Sequence, residues 1–436
     1  MAKKAKNRFI SQDGFYYTAP DEVTVLDTRG AVFKLDKEAA VLFLYSIGQS
    51  DGQAFENFKK KFPSAEASFG EAKEKLKFFE DNNFYCSDFK ENHFNIEKVA
   101  DNIMKAEKYP SALALAYVHV RLTSACPFKC KGCYVRAGTA KENELKTAEV
   151  KKIIDSAAAL GCAMITFSGG EPALIPDEVA ELSRYAKQKG IAKVDITTTG
   201  YKLNEIADKW KEAGVDILRF SLDGMAEYHN WYRGRSDAFE IAVKGIKLSK
   251  EKGFKTSATC VLTNKNAGHL EQLAKYADEN SIKLHLSPLV KTGRGEESGL
   301  ELTADELMKI AELAEALKKK YPKAELTTSC EIQKEEFNGP MCCLAGIGAV
   351  FITETGAVQV CPHLPEYIIG NVRENSLDEL LMNEKNSHFT QIKDVNKKCA
   401  KCKKRAVCVS SCKARAYKMF GDFFLEKEPK NCPADK

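Results

Sequence analysis

The middle of the chain alternates six times between short apolar runs and longer segments with apolar residues at helical spacing. The runs predict strands over 113–123, 163–168, 193–198, 215–222, 255–262 and 282–289. The longer segments predict helices over 147–160, 177–189, 204–213, 238–252, 269–279 and 303–320. Four of these helices end at a glycine just before the next strand, which is a common helix stop: Gly161, Gly190, Gly214 and Gly253. Repeated units of this kind predict the α/β class, with a parallel sheet whose strand ends gather at one edge.

Three cysteines follow the first predicted strand at the spacing C-x3-C-x2-C: Cys126, Cys130 and Cys133. Four thiolates saturate a structural zinc ion or a cubane iron–sulfur cluster. Three thiolates in one short loop can instead hold three irons of a [4Fe–4S] cluster and leave the fourth iron open for chemistry. The alternative at this spacing is half of a zinc knuckle.

The second predicted strand runs into Ser168-Gly169-Gly170-Glu171-Pro172. Because glycine has no Cβ, this backbone can approach a ligand closely. Together with the cysteine loop, this segment resembles the radical S-adenosylmethionine (SAM) superfamily. The resemblance implies a partial (β/α)6 barrel with a catalytic cluster whose open iron is chelated by SAM. One-electron cleavage of SAM then gives a 5′-deoxyadenosyl radical that abstracts hydrogen.

The same resemblance assigns SAM contacts to the strand ends. It places Gly169, Gly170 and Glu171 at the SAM ammonium, Thr199 at the ribose or the methionine carboxylate, and Ser221 in a hydrogen bond to SAM. The series Ser221-Leu222-Asp223-Gly224, His229, Arg233, Gly234 is similar to a pattern of the SPASM branch of these enzymes. There Arg233 or Arg235 would hold a carboxylate in its planar fork. A turn-forming or solvent-exposed role is the alternative for these hydroxyls and arginines.

The position before Cys133 departs from the family. Radical SAM enzymes usually carry an aromatic residue there, which packs on the adenine. This chain has Gly132 at that position, and Tyr134 follows the third cysteine. Leu286-Ser287-Pro288 ends the last predicted strand, and we expect this segment to line the adenine.

The C-terminal region holds most of the remaining cysteines, and their spacing resembles the seven-cysteine SPASM pattern. The resemblance assigns an outer auxiliary cluster to Cys399, Cys402, Cys408 and Cys432, and an inner one to Cys343, Cys361 and Cys412. The fourth inner ligand is Cys330, which we favour, or Cys342, or the iron is open to substrate. With the catalytic cluster, this predicts three [4Fe–4S] clusters. A rubredoxin or zinc-ribbon site is the alternative for 399–412, and the other cysteines are expected in the core: Cys86, Cys162 and Cys260.

The N-terminal segment predicts strands over 14–18, 23–27 and 31–35 and helices over 37–47, 53–62 and 69–79. This winged-helix-like order resembles the PqqD-like recognition element of enzymes that modify ribosomally made peptides. Such a domain binds the leader of a precursor peptide by adding it as a strand to an exposed edge. The alternatives are a DNA-binding winged helix and a purely structural domain. Acidic and basic residues are nearly balanced here, which disfavours a phosphate-binding face.

Composition restricts the partners and the compartment. The 436 residues include 66 Lys and Arg against 61 Asp and Glu, a net charge of +5, so no nucleic-acid partner is expected. We expect no membrane span either, because no apolar run reaches the necessary length. Fifteen cysteines without a signal peptide indicate metal ligation in a reducing compartment, which predicts a cytoplasmic protein.

These features predict four parts: a leader-recognition domain over 1–95, a linker helix over 96–112, the radical SAM barrel over 113–325 and the SPASM domain over 326–436. The combination resembles maturases that install a thioether or carbon–carbon cross-link on a precursor peptide, with a flavodoxin- or ferredoxin-type reductant. Maturation of a peptide-derived redox cofactor, of the pyrroloquinoline quinone or mycofactocin type, is the main alternative. An anaerobic sulfatase maturase is disfavoured because Pro362, not aspartate, follows Cys361. A DNA-binding iron–sulfur regulator would not need the Gly169-Gly170-Glu171 segment.

Overall fold

The computed structural model describes residues 15–19, 22–26, 32–46, 49–65, 68–81, 117–328, 345–346 and 348–391, with single positions at 97, 100, 101, 115, 414, 417 and 418. The predicted linker helix lies almost entirely outside these residues. Most of the predicted auxiliary-cluster ligands, including both candidates for the fourth inner ligand, also lie outside the described residues: Cys330, Cys342, Cys343, Cys399, Cys402, Cys408, Cys412 and Cys432. The same is true of Cys86, which is predicted to lie in the core. Within the described residues, no helix is both long and apolar enough to span a membrane.

The N-terminal unit is a three-stranded antiparallel sheet followed by three helices. The strands are β1 (Phe15–Ala19), β2 (Glu22–Leu26) and β3 (Val32–Leu35), paired in the order β1-β2-β3, and the helices are α1 (Lys37–Ser46), α2 (Asp51–Lys61) and α3 (Phe69–Asp81). The helices enclose Phe43, Phe58 and Leu76, each at most 1% exposed. Phe69, which the sequence pattern places in this core, is 46% exposed, although its ring lies 5.3 Å from that of Phe55. It begins α3 and so lies at the rim of the helical core.

Six parallel strands, each followed by at least one helix, form the partial (β/α)6 barrel, as predicted. The strands are β4 (Tyr117–Thr123), β5 (Met164–Gly169), β6 (Lys193–Thr198), β7 (Ile217–Ser221), β8 (Lys255–Leu262) and β9 (Lys283–Pro288). The helices are α4 (Thr147–Ala159), α5 (Pro176–Gln188), α6 (Leu203–Glu212), α7 (Ala226–Arg233), α8 (Ala238–Glu251), α9 (Leu270–Glu279) and α10 (Ala304–Lys320). The glycines predicted to stop helices have the positive φ that this role requires: Gly161, Gly190, Gly214 and Gly253. Helix α7 is an addition to the predicted set.

The sheet does not end at the barrel. Strand β10 (Thr327–Thr328) pairs with β9, and β11 (Ala349–Ile352) pairs in parallel with β4. Strands β12 (Ala357–Gln359) and β13 (Ile368–Asn371) continue the sheet, followed by α11 (Leu377–Leu381) and α12 (Glu384–Gln391). The C-terminal region thus covers the edge of β4, the strand that leads into the cysteine loop.

A buried ion pair joins the two regions beside this edge. The Nε atom of Arg121, on β4, lies 3.0 Å from Oε2 of Glu354, in the turn between β11 and β12. Their side chains are 12% and 4% exposed. Lys141 also reaches Glu354, at 2.5 Å, so the buried carboxylate has two cationic partners. The pKa of Glu354 is lowered because these partners outweigh the effect of burial.

Candidate active site

The three loop cysteines lie together at the C-terminal end of β4. Cys130 is 8% exposed, while Cys126 and Cys133 are half-buried against an apolar cluster that includes Phe128 and Tyr201. The loop is fixed by Arg294, which donates from Nε to the carbonyl of Cys130 at 2.7 Å and from its backbone N–H to that of Cys133 at 2.9 Å. Arg294 follows β9 far along the chain, so motif spacing gave no signal for it.

The pocket suits a metal cluster better than three free thiols. Burial, together with the nearby charges of Glu171, Cys130 and Cys133, raises the pKa of Cys126 to about 12, although a backbone hydrogen bond from Phe128 opposes the rise. Positively charged irons would offset this cost, because they bind thiolates directly. Within the described residues, no group of three or more His, Cys, Asp or Glu side chains is placed to hold a single metal ion. A cubane cluster has a different requirement, because each thiolate binds its own iron.

The two glycines after β5 bring that segment against the cysteine loop. A Cβ at Gly169, where φ is +147°, would lie 2.3 Å from the carbonyl oxygen of Thr123, and one at Gly170 would lie 2.0 Å from that of Ala125. Backbone hydrogen bonds of 2.6 Å and 2.8 Å, from the N–H groups of Gly170 and Glu171, join the same carbonyls. Close packing of β5 on β4 is therefore the role that the structure gives to these glycines, and their SAM contact stays a prediction.

The carboxylate of Glu171 is fully buried and holds the end of β6. Its Oε1 accepts hydrogen bonds from Thr198 Oγ1 at 2.6 Å and from Ala173 N–H at 3.2 Å. Its Oε2 accepts from the N–H and the hydroxyl of Thr199, at 2.8 Å and 2.6 Å. Burial raises the pKa of Glu171, and these hydrogen bonds oppose that rise. Since the Thr199 proton points to Glu171, this hydroxyl can only accept a hydrogen bond from a ligand.

Replacing Glu171 by glutamine is expected to weaken SAM binding about ten- to a hundredfold while leaving the iron content unchanged. The amide removes the negative charge and replaces one of the two accepting oxygens by an NH2 group, so it can no longer accept from both Thr198 and Thr199. Equilibrium binding of SAM to the reconstituted protein measures the effect. Glu178→Gln, at an exposed position of α5, is the matched control. Equal SAM affinity in Glu171→Gln and the control would contradict this role.

The series of residues from Ser221 to Gly234 connects β7 with the cysteine loop. Ser221 ends β7, and Asp223, which is fully buried, accepts from Arg233 Nε at 2.6 Å and from Val261 N–H at 2.9 Å. The Asp223 N–H donates to Nδ1 of His229 at 3.0 Å, and burial lowers the pKa of this imidazole to about 4, so that nitrogen is free to accept. Arg233 thus meets Asp223 in this structure, and its predicted contact with a SAM carboxylate stays a prediction.

The two tyrosines near Gly132 face different parts of the protein. A Cβ at Gly132 would lie 2.2 Å from the hydroxyl oxygen of Tyr232, a residue of α7 that is 1% exposed. Tyr232 therefore fills the space that a side chain at 132 would need. Tyr134 turns towards the C-terminal region, where its ring centroid lies 5.8 Å from that of His363. Cys361, a predicted inner-cluster ligand, is half-buried two residues earlier.

The barrel interior carries a polar network that the motif search did not identify. His119 contacts the hydroxyl of Tyr117 at 3.0 Å and also the hydroxyl of Ser168. Burial lowers the pKa of His119 to about 3, and the charges of nearby arginines contribute. The sequence of β4 indicates this network, because its polar residues at 117, 119 and 121 alternate with apolar ones and so place polar side chains on one face of the strand.

A second part of this network crosses β5, β6 and β7. The Oδ2 atom of Asp195 accepts from Thr166 at 3.1 Å and from Nε and Nη2 of Arg219 at 3.2 Å and 2.8 Å. Asp195 is fully buried, and its Oδ1 has no hydrogen-bond partner among the described residues. The side chain of Arg219 is 34% exposed, so the ion pair presents its cationic side to the barrel interior.

Comparisons with known proteins agree with this fold and site. The chain matches the family model of the Radical SAM superfamily over residues 120–277 and the iron–sulfur cluster-binding SPASM domain over residues 342–403. An AdoMet-dependent heme synthase of Methanosarcina barkeri is 31% identical over 335 residues, covering 71% of this chain and 93% of that protein. The chain therefore belongs to the radical SAM superfamily. It is an iron–sulfur enzyme of that superfamily with a SPASM domain.

Solved structures share the fold over different lengths of the chain. The Streptococcus suis protein SuiB, bound to S-adenosylmethionine, matches with a TM-score of 0.67 at 16% identity over 98% of this chain and 100% of its own. The protein anSMEcpe, with bound AdoMet and the Cp18Cys peptide, matches with a TM-score of 0.53 at 19% identity over 68% of this chain and 89% of its own. The SuiB match is long enough to include the N-terminal unit as well as the barrel.

Proposed function

We propose that this enzyme modifies a ribosomally made precursor peptide, which binds through its leader to the N-terminal unit. The modification is a thioether or carbon–carbon cross-link in the core of the peptide. The observation that carries the proposal is the N-terminal three-stranded sheet with an available edge. The heme synthase match covers 71% of this chain but 93% of the relative, so this chain has sequence beyond the shared part. The likeness to SuiB over 98% of the chain extends to that additional part.

Both β1 and β3 are edge strands of this sheet, and we assign the leader to β3 because it is the last strand before the helices. The four residues of β3 pair antiparallel with β2, from Val32 opposite Leu26 to Leu35 opposite Val23. Among the described residues no strand pairs with the other side of β3, since the sheet order is β1-β2-β3. Unpaired N–H and C=O groups on such an edge can bind an extended peptide as an additional strand. The short helix α1 begins two residues after β3 and flanks this edge in sequence.

Forming a cross-link removes two hydrogens from the peptide, as one hydrogen atom, one electron and one proton. When bound, the catalytic cluster and SAM supply the radical that takes the hydrogen atom, and an auxiliary cluster supplies an acceptor for the electron. The chain supplies placement and exclusion of water. Arg219 and Asp195 offer a cationic donor and a buried acceptor in the barrel interior, which suits polar groups of a peptide.

The ligand sets predicted from the cysteine pattern belong to the same proposal. Cys126, Cys130 and Cys133 would hold the catalytic cluster, while Cys361 is the one auxiliary ligand among the described residues. His363, two residues after Cys361, has its ring 5.8 Å from that of Tyr134, so this part of the C-terminal region contacts the residue that follows the cysteine loop. Three clusters per chain, a small electron-transfer protein as reductant, and the four predicted domain boundaries are also part of the proposal.

A second candidate substrate is a heme-type macrocycle, which the identity to a heme synthase of Methanosarcina barkeri favours. Both candidates need the radical chemistry of the cysteine loop, so SAM cleavage alone does not separate them. The N-terminal unit separates the two candidates, because strand addition at the edge of β3 recognises an extended peptide backbone and a planar macrocycle offers no such backbone.

The test compares both substrates with one reconstituted enzyme. The genes next to this one are first searched for a short open reading frame rich in Cys, Gly or aromatic residues. The protein is then incubated with SAM, a reductant and either the peptide that this frame encodes or Fe-coproporphyrin III, a compound in the name of another relative, and the products are weighed by mass spectrometry. A loss of two mass units from the peptide supports the proposal, provided that a Cys126→Ala variant leaves the peptide unchanged. Conversion of the porphyrin with an unmodified peptide would overturn it in favour of the second candidate.

A further inference from the structure

We infer that Arg233 sets the reduction potential of the catalytic cluster by donating a hydrogen bond to the sulfur of Cys130, and that Asp223 holds Arg233 in place for this purpose. The inference goes beyond the proposed function, since it depends on the cysteine loop and not on the substrate. It gives Arg233 a positioning and electrostatic role different from a SAM carboxylate contact.

The geometry is that of a directed N–H donor. Nη1 of Arg233 lies 3.7 Å from Sγ of Cys130, within the range of hydrogen bonds to sulfur. Nε of the same guanidinium donates to Oδ2 of Asp223 at 2.6 Å. Because the guanidinium is planar, fixing Nε on Asp223 also fixes the direction of Nη1. The side chain of Arg233 is 12% exposed and Cys130 is 8% exposed, so water screens this contact little.

The backbone around Arg233 is attached to the loop on both sides of Cys130. A Cβ at Gly234, where φ is +65°, would lie 2.6 Å from the carbonyl oxygen of Lys129. The N–H of Lys131 donates to the carbonyl of Tyr232 at 2.8 Å. The end of α7 therefore lies directly on the cysteine loop, and the left-handed glycine is what permits the close approach.

Asp223 is itself held from several directions. Its Oδ1 accepts from Val261 N–H at 2.9 Å, its own N–H donates to His229, and its carbonyl accepts from Asn266 Nδ2 at 2.8 Å. These hydrogen bonds fix the position of the Asp223 carboxylate, which in turn orients Arg233. The sequence series from Asp223 through His229 to Arg233 and Gly234 is thereby explained as one support for the cysteine loop.

The two charges act on Cys130 in opposite directions. The Arg233 guanidinium contacts the Cys130 sulfur directly, while the carboxylate of Asp223 lies behind it on Nε. A positive charge beside the cluster stabilises an added electron and a negative charge destabilises it, because a reduced cluster carries more negative charge. Hydrogen bonds to cluster sulfurs and net local charge are established determinants of cluster potential. Arg233 should therefore raise the potential and Asp223 lower it.

The experiment is a redox titration of the reconstituted full-length protein without substrate, monitored by electron paramagnetic resonance. The catalytic cluster is recognised as the signal that changes when SAM is added. Arg233→Gln should lower the ratio of reduced to oxidised catalytic cluster about tenfold at a fixed potential, a shift of about 59 mV for one electron. Asp223→Asn keeps a side-chain oxygen that can accept from Nε of Arg233 but removes the negative charge, so with Arg233 still in place it should shift the ratio in the opposite direction. A structural loosening of the loop would not produce opposite signs.

Arg136→Gln is the matched control. Arg136 follows the same loop, but it is exposed and its Nη2 lies 2.7 Å from Glu297, so its loss changes net charge without touching a sulfur. An unchanged potential in Arg233→Gln, or an equal shift in Arg136→Gln, would overturn the inference. Reduced SAM affinity with an unchanged potential would assign Arg233 to SAM instead. If Arg233→Gln loses iron, Arg233→Lys takes its place, with a smaller shift expected in the same direction and no shift counting against the inference.

Discussion

Replacing Cys126, Cys130 and Cys133 together by alanine is expected to abolish reductive SAM cleavage and to remove about a third of the iron, if three cubane clusters are bound. The loop carries the three thiols that lie together at the end of β4, and the remaining predicted ligands lie elsewhere in the chain. Without them SAM has no iron to chelate, so 5′-deoxyadenosine should not form. Iron analysis and chromatography of the reaction with dithionite measure both effects.

The variant should still fold, because the loop backbone is held independently of the thiols. Arg294 donates to loop carbonyls, and the N–H of Cys126 donates to the carbonyl of Gly138 at 2.9 Å. Cys162→Ala is the matched control, since Cys162 is 5% exposed and lies in the main core away from the loop. It should keep both iron and SAM cleavage. Formation of 5′-deoxyadenosine by the triple variant would refute the assignment of the catalytic cluster.

The barrel could be predicted from the sequence because its information is local. Each strand is a short apolar run, each helix has its own periodicity, and Gly161, Gly190, Gly214 and Gly253 mark helix ends by a conformation that other residues rarely adopt. The observed strand ends consequently fall within about four residues of the predicted ones. The cysteine loop and the strand-end residues followed from their order along these units.

What the sequence did not predict depends on contacts between distant segments. The contact of Arg233 with Cys130 joins residues 103 positions apart, and that of Arg294 with the same loop joins residues 164 positions apart. No periodicity encodes such pairs. The pairing of β11 with β4 is likewise non-local, since each strand is apolar and the pattern does not state its neighbour. Helix α7 was missed because its residues were considered only as a motif, although Tyr228 and Tyr232 have helical spacing.

Deleting residues 1–95 is expected to abolish peptide modification, or to slow it severely, while SAM cleavage without peptide continues. The N-terminal unit has its own core of α1, α2 and α3 around Phe43, Phe58 and Leu76. None of the predicted cluster ligands lies in it. Its removal breaks the ion pair of Lys61 with Glu97, 2.7 Å apart, which is at the surface and contributes little.

The expected loss has an entropic origin. A leader bound at β3 keeps the core peptide near the barrel and raises its effective concentration there, and this gain disappears when the unit is removed. The measurement is the rate of modification of full-length precursor at a peptide concentration well below saturation. High peptide concentration should restore part of the activity of the truncated enzyme, because it replaces the effective concentration that the tether supplied.

Two proline substitutions test the same edge in the complete chain. Successive N–H groups of a strand point to opposite sides, so of Phe33→Pro and Lys34→Pro one removes an N–H from the free edge and the other breaks a bond to β2. The variant that removes an N–H from the free edge should fold normally, as judged by circular dichroism, and lose leader binding. The variant that breaks a bond to β2 should destabilise the unit. A truncated enzyme, or a folded edge variant, that modifies dilute full-length precursor at the wild-type rate would show that the leader binds elsewhere.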